Sequence, residues 1–225
     1  MAARILDGRA LAAELSAAAA ERSAQLRARG VAPRLEVVVA GDDAASATYV
    51  RALRTAGTKA GVDVRVAQLP ADFDEARLRA MLHVLGEDLL IHGVILQQPL
   101  PPHLALRSIV EMVPTAKDVD GANPLNFGRL AFRSGTELVA ATPAAVMLLL
   151  DRSERRALRG VRACVVGRSS VVGLPVALLL LGRDATVTIA HRGTADLAAR
   201  TREADVVVAA AGVPGLIRAE MIAPG

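Results

Sequence analysis

Short apolar runs that are continuous rather than alternating recur along this chain, separated by longer segments with helical periodicity. Continuous runs are typical of strands that are covered on both faces of a sheet. In the first half, the predicted strands are RLEVVVAG, DVRVAQL and HGVILQ, and the predicted helices cover residues 9–29, 45–60 and 74–86. This alternation predicts an α/β fold with parallel strands.

The second half repeats the alternation after an interruption. The segment from QPLPPHL to NFGRLAFRSGTEL is richer in Pro, Gly and Asn, which predicts loops and a change of domain. A linking helix is predicted at TPAAVMLLLDR, and VRACVVG, VVGLPVALLLLG, ATVTIAHR and ADVVVAAAG follow it. Their order of strand, turn, helix and strand is typical of a doubly wound nucleotide-binding fold. We therefore predict two domains, residues 1–135 and residues 136–225.

Composition narrows the classes of function. Hydrophobic residues make up 52% of the chain and charged residues 22%, as in ordinary globular proteins. The 27 basic residues are scattered among acids, and one Tyr, three Phe and no Trp leave little for base stacking, so no nucleic acid partner is expected. Cys164, the single cysteine, is expected in the core. The apolar runs are too short to span a bilayer and no signal peptide is evident, so we expect a cytoplasmic protein without a membrane partner.

The segment CVVGRSSVVGLPVA leads from a strand through a glycine-containing turn into a helix. Backbone N–H groups at such a helix start bind dinucleotide phosphates, and glycine permits close approach. Gly167 and Gly173 are spaced more widely than in G-x-G-x-x-G, however, so a purely structural turn explains the segment equally well.

Basic residues near this turn bear on the choice of cofactor. The following strand ends in His191 and Arg192, where NAD-binding proteins usually have an acid for the ribose hydroxyls, and Arg168 lies in the turn itself. Cations at these positions suit a 2′-phosphate, which favours NADP. Solvated surface arginines are the alternative interpretation.

In the first half, polar residues follow several predicted strands, in AGDDAASATYV, GVILQQPLPP and KDVDG. Open α/β sheets bind ligands at the carboxyl ends of their strands, so Gln97 or Gln98 is expected to point into a cleft. Asp118 and Asp120 are conceivable metal ligands, but no His/Cys cluster or calcium-loop spacing accompanies them. A structural aspartate before glycine is the default interpretation, and we predict no metal site.

Taken together, these segments resemble one family, the bifunctional methylenetetrahydrofolate dehydrogenase/cyclohydrolases. The resemblance rests on segments in the family's order: ILDGR, GDDAAS with the tyrosine after it, GVILQQPLP, KDVDG with NFGRL, ATP, VVGRSSVVGLP and ADVVVAAAGVPG. It implies an N-terminal α/β folate domain, a C-terminal Rossmann-like NADP domain, a folate cleft between them and a homodimer.

The resemblance also assigns residues. Tyr49 matches the tyrosine that lies along the folate, Gln97 the polar partner of a catalytic lysine, and Asp120 the acid that holds the pterin. The positions that match the family's cofactor contacts are Gly167, Arg168, Ser169 and Arg192.

Leu53 stands where the family has that lysine, four residues after Tyr49 on the same predicted helix face. Lys59 lies ten residues after Tyr49, about 15 Å along the helix from it, and Lys117 belongs to another loop. Arg54 follows Leu53 directly, so its side chain points about 100° round the helix from that of Leu53, and its guanidinium cannot act as a base. The resemblance therefore implies a dehydrogenase whose cyclohydrolase activity is weak or absent.

Other departures leave alternatives open. Ala44 and Ala141 replace the family's usual Pro and Cys, and the family continues beyond Gly225 with a strand, a glycine-rich loop and a helix, so part of both sites is expected to be missing. A catalytically silent relative that binds folate or NADP is one alternative. A dehydrogenase of small acids explains VVGRSS but leaves KDVDG and QQPLP unexplained.

Overall fold

The computed structural model describes residues 4–41, 43–104, 106–135, 138–154 and 156–224. These residues form two compact units divided between Asn126 and Phe127, with the described residues before Asp7 belonging to the C-terminal unit. The α/β class and the two-domain plan predicted from the sequence are confirmed. The boundary predicted at residues 135 and 136 stays a prediction.

The N-terminal unit is built on three parallel strands in the order β2-β1-β3. The strands are β1 (Arg34–Ala40), β2 (Asp63–Leu69) and β3 (Gly93–Leu96). The helices are α1 (Gly8–Ala28), α2 (Ala44–Lys59), α3 (Glu75–Glu87), α4 (Leu106–Val110) and α5 (Pro124–Phe132), the last of which contains the point of division.

Both faces of this sheet are buried. Val38 on β1 packs with Leu78 and Leu82 of α3, whereas its neighbour Val37 packs with Val50 of α2. Because successive side chains of a strand point to opposite faces, a strand covered on both sides needs a continuous apolar run. The continuous apolar runs that predicted the fold are therefore explained by the helices that cover both faces of the sheet.

The C-terminal unit repeats the plan with the strand order β5-β4-β6. Its strands are β4 (Arg162–Val166), β5 (Thr186–Ala190) and β6 (Val206–Ala209). Its other elements are α6 (Ala141–Asp151), α7 (Gly173–Leu181), α8 (Leu197–Arg202) and a 3₁₀ turn (Ala219–Met221). Cys164 is fully buried on the central strand β4, as expected, and burial raises the pKa of its thiol.

The segment predicted to hold loops does hold them, together with two short helices, α4 and α5, that were not predicted. Proline fits the first turn of a helix, where its missing N–H is not needed, and α5 begins at Pro124. The Pro and Asn that suggested a loop are thus signals of a helix start. In the part of the chain that the structure describes, no helix has the length and apolar character needed to cross a membrane.

Candidate functional site

The carboxyl end of β3 is joined to α2 through one carbonyl group. The backbone N–H of Gln97 donates to Val38 (N···O 2.9 Å), which continues the ladder past the end of β3. The carbonyl oxygen of Gln98 then accepts bonds from Gln97 Nε2 (2.7 Å) and from Ser46 Oγ on α2 (3.3 Å). These bonds fix the Gln97 amide beside the first turns of α2.

Tyr49 lies one turn after Ser46 on the same helix and is 46% exposed. Burial raises the pKa of its hydroxyl, and the negative charge of Asp120 raises this pKa further. Asp120 reaches this end of the sheet because Asp118 forms a parallel bridge with Val94, so the loop runs beside β3. The structure thus brings Tyr49, Gln97 and Asp120 to the carboxyl end of one sheet.

The two aspartates of KDVDG differ completely in their surroundings. Asp118 is buried, and its carboxylate accepts bonds from the backbone N–H groups of Ala122 (3.0 Å) and Asn123 (2.9 Å) and from Asn126 Nδ2 (2.9 Å). These bonds satisfy a buried charge, so Asp118 holds the loop in place. No group of three or more possible metal ligands occurs among the described residues.

Asp120, by contrast, is half-buried and has no hydrogen bond or ion pair to any residue that the structure describes. Burial raises the pKa of its carboxyl group, and the nearby Asp118 carboxylate adds to this effect. A partly desolvated carboxylate without a partner is costly to the folded protein. It is therefore available to accept hydrogen bonds from a ligand.

Leu53 faces the sheet rather than the solvent. It lies one turn beyond Tyr49, is partly buried and packs against a core cluster that includes Val37, Val50 and Ile95. Of the chain's two lysines, Lys59 is at the far end of α2, and Lys117 donates through Nζ to the carbonyls of Leu85 (3.0 Å) and Asp88 (2.7 Å). Neither lysine takes a place one turn from Tyr49.

A second candidate site, in the C-terminal unit, is a cavity of about 730 Å³ at the carboxyl ends of β4 and β5. It is lined by four residues that the sequence predicted to contact a cofactor: Gly167, Arg168, Ser169 and Arg192. His191, Thr194 and an apolar wall that includes Leu197 and Val213 complete it.

The glycines of the turn are required by close backbone packing. Gly167 has φ of 134°, and a Cβ there would overlap the carbonyl of Ala210. Gly173 begins α7, and a Cβ there would overlap the carbonyl of Gly167. Ser169 Oγ accepts bonds from the N–H groups of Val172 (3.2 Å) and Gly173 (3.4 Å) and so holds the turn against the start of α7. Gly173 shapes the turn without lining the cavity.

The charges on the cavity wall favour an anion. Arg168 and Arg192 are exposed, and neither has an ion pair or hydrogen bond to any part of the chain that the structure describes. No carboxylate is among the residues that line the cavity. His191 Nδ1 accepts a bond from the N–H of Gly193 (3.1 Å), which fixes the turn after β5 that carries Arg192. This wall suits a phosphate better than a ribose diol, which acids usually bind.

Sequence reasoning missed the residues that hold these groups in place. Ser46, Asn123 and Asn126 were not singled out, although each fixes part of the first site. Ser46 lies three residues before Tyr49, and residues at this spacing on a helix are neighbours, which was the available signal. The roles of Asn123 and Asn126 depend on hydrogen bonds that form only in the folded structure, so no pattern in the sequence indicates them.

Comparisons with known proteins match both halves of the chain. A model of the tetrahydrofolate dehydrogenase/cyclohydrolase catalytic domain matches residues 6–120, and a model of the NAD(P)-binding domain of the same proteins matches residues 140–225. The bifunctional protein FolD of Heliobacterium modesticaldum is 44% identical over 100% of this chain and 77% of its own length. The FolD of Bordetella avium is 47% identical over 100% of this chain and 78% of its own.

Solved structures show the same similarity. The bifunctional dehydrogenase/cyclohydrolase FolD of Campylobacter jejuni superposes with a TM-score of 0.97 at 36% identity, covering 100% of this chain and 79% of that one. FolD of Trypanosoma brucei, solved with NADP and an inhibitor, gives a TM-score of 0.92 at 38% identity, covering 99% and 76%.

Proposed function

Because the chain belongs to the tetrahydrofolate dehydrogenase/cyclohydrolase family, we propose that it is an NADP-dependent methylenetetrahydrofolate dehydrogenase of one-carbon metabolism. We propose further that its methenyltetrahydrofolate cyclohydrolase activity is weak or absent. Tetrahydrofolate derivatives are its proposed substrates, and the proposed homodimer and cytoplasmic location follow the family resemblance.

The observation that carries the proposal is the unpaired Asp120 carboxylate beside Tyr49. A pterin presents N–H donors along one edge, and a carboxylate can accept two of them at once. The half-exposed Tyr49 ring supplies an apolar face beside this acceptor, against which a flat heterocycle can stack. Acceptor and ring together support folate as the ligand.

The second cavity fits NADP. Arg168 and Arg192 would bind the 2′-phosphate, and the turn from Gly167 to Ser169 would lie along the pyrophosphate. The absence of a carboxylate from the described wall counts against NAD. When bound, the cofactor supplies an acceptor for a hydride.

The dehydrogenation step does not require the protein to transfer a proton. The C–H bond of the folate methylene carbon breaks, both of its electrons leave with the hydride, and the cation that remains is stabilised by the two adjacent folate nitrogens. No proton is released in this step. The residues of this chain therefore act by positioning: Asp120 and Tyr49 orient the folate, and the Gln97 amide, held by the Gln98 carbonyl, lies beside it.

Hydrolysis of the methenyl cation, in contrast, requires proton transfers. A water molecule adds to the methenyl carbon and loses both of its protons as its oxygen becomes the formyl carbonyl. A ring C–N bond breaks and the departing nitrogen takes up one proton, so one proton is released overall. These transfers need a group that titrates near neutral pH. Leu53 cannot exchange a proton, a guanidinium such as that of Arg54 is not a general base, and the Lys117 amine is hydrogen-bonded to carbonyls at the end of α3. The N-terminal unit therefore supports the first reaction better than the second.

The test is to follow NADPH formation by absorbance with methylenetetrahydrofolate and NADP as substrates. We expect NADPH to form at a measurable rate. A chain that binds both ligands but gives no NADPH would instead be the catalytically silent relative, which the packing of Leu53 in the core also allows. A dehydrogenase of small acids is disfavoured because residues 6–120 match the family's catalytic domain.

A further inference from the structure

A second pocket of the N-terminal unit lies on the other side of α2 from Tyr49. Its volume is about 350 Å³, and it lies between α2 and β2, the edge strand of the described sheet. Arg51 and Arg54 line it from α2, at about 200° and 140° round the helix from Tyr49 when each residue advances 100°. We call it the α2–β2 pocket.

The two arginines are exposed, and their guanidinium groups form no hydrogen bond or ion pair with the described residues. Residues three apart on a helix are neighbours, with about 5–6 Å between their Cβ atoms. Arg51 and Arg54 thus present two guanidinium groups to one small volume. Like charges held this close repel each other, so a bound anion would relieve an unfavourable arrangement.

The other residues that line the α2–β2 pocket do not neutralise the two arginines. Asp43 is the one carboxylate among the lining residues, and it caps α2 by accepting a bond from the N–H of Ser46 (2.7 Å). Gln68 Nε2 donates to the carbonyl of Gly41 (2.6 Å), which closes the strand end of the pocket. Val39 and Val50 form an apolar floor, which strengthens charge interactions by keeping water away.

From this geometry we propose that the α2–β2 pocket binds a compact anion with two charged oxygen groups, such as a diphosphate or a short dicarboxylate. Planar guanidinium groups bind phosphate and carboxylate by the same two-pronged geometry, so the shared chemistry is that of a compact dianion with one charged group for each arginine. The pocket lies within the size range of small-ligand sites. This site is separate from the folate and dinucleotide sites and does not depend on the function proposed for them.

Titration calorimetry with pyrophosphate and with succinate, at constant ionic strength, tests the proposal. The nucleotide cavity also attracts phosphates, so the reference protein is Arg168→Gln/Arg192→Gln, which lacks the two cations of that cavity. Adding Arg51→Gln and Arg54→Gln should weaken binding by at least about tenfold, because two charge-assisted contacts are lost. The matched control is Arg22→Gln on α1, an exposed arginine that is likewise unpaired among the described residues and lies outside the pocket.

The site is supported if either anion binds, and if that binding is lost when Arg51 and Arg54 are replaced but kept in the Arg22→Gln control. The anion that binds more tightly identifies the ligand class. The proposal is overturned if neither anion binds below about 10 mM, or if the control loses as much affinity as the pair. A second measurement covers the case of a misfolded variant. In the wild-type chain, the Nε–H resonances of Arg51 and Arg54 should shift on titration, and an unchanged spectrum at those two residues would contradict the proposal.

Discussion

The Asp120 carboxylate lies near enough to Tyr49 to act on its hydroxyl: burial raises the pKa of that hydroxyl, and the charge of Asp120 raises it further. The two residues belong to different elements, the loop beside β3 and helix α2, and meet because both reach the carboxyl end of the sheet. We therefore propose that the folate binds between Asp120 and Tyr49, at the carboxyl end of this sheet.

Asp120→Ala should weaken folate binding at least about tenfold, because the acceptor of charge-assisted hydrogen bonds is removed. NADP binding should be unchanged, since the residues proposed to hold NADP belong to the C-terminal unit. Fluorescence or calorimetric titration with each ligand separately checks both expectations. If both affinities fall together, Asp120 has a structural role instead.

Asp120→Asn should stabilise the protein at neutral pH. Folding raises the pKa of Asp120, chiefly by burial, so its contribution to stability is complete below the unfolded pKa of about 3.9 and is lost as pH rises through the folded pKa. The advantage of the variant in urea unfolding should therefore grow from about pH 4 to pH 7. Asp118→Asn should be destabilised by about 1–3 kcal/mol at neutral pH, because an amide would face N–H donors.

Arg192→Ala should weaken NADP binding by about tenfold and leave NAD binding unchanged. The expected loss is one charge-assisted contact to the 2′-phosphate, about 1.5 kcal/mol for an exposed arginine. Arg159→Ala is the control, since Arg159 is exposed and unpaired among the described residues of the same unit but lies outside the cavity. Equal affinities of the wild type for NADP and NAD would remove the basis for this assignment.

Gly173→Ala should destabilise the protein by about 1–3 kcal/mol, because the added methyl group overlaps the carbonyl of Gly167. Gly128→Ala is the matched control: it lies in α5, its Cβ would meet nothing within 4 Å, and alanine is the better helix former by about 1 kcal/mol. Urea unfolding of both variants measures the contrast. Equal stability of the two would show that the turn can relax.

The elements with long patterns were predictable from the sequence. Strand β2 begins and ends where the apolar run DVRVAQL does, and α1 begins directly after Asp7, whose carboxylate accepts a bond from the N–H of Arg9 (2.9 Å) as expected of a cap. The helices α4, α5 and α8 were not predicted, because five to nine residues give too little periodicity to separate a helix from a loop.

The two aspartates of KDVDG show where sequence reasoning reached its limit at the candidate site. The local pattern offered Asp118 and Asp120 as equivalent aspartates in one turn, and only the family resemblance singled out Asp120. The hydrogen bonds from Asn123 and Asn126 make Asp118 structural and leave Asp120 free for a ligand. Local sequence does not contain this distinction, since it depends on which donors the fold brings to each carboxylate.

Leu53 leaves the folate site without an amine one helical turn from Tyr49. Leu53→Lys should gain cyclohydrolase activity, since the new amine would lie one turn from Tyr49 and burial against the core cluster would lower its pKa towards neutrality. A positioned acid or base contributes about 10²- to 10⁴-fold in rate. Leu53→Arg is the control, because it adds the charge without a proton that can be exchanged.

The most direct measurement compares two rates of the unmodified protein in one preparation: NADPH formation from methylenetetrahydrofolate, and decay of methenyltetrahydrofolate in the absence of cofactor. We expect measurable dehydrogenation together with methenyl decay close to the uncatalysed rate, and faster decay with Leu53→Lys but not with Leu53→Arg. Methenyl decay in the unmodified protein as fast as its own dehydrogenation would contradict this expectation, because another group would then be transferring the proton.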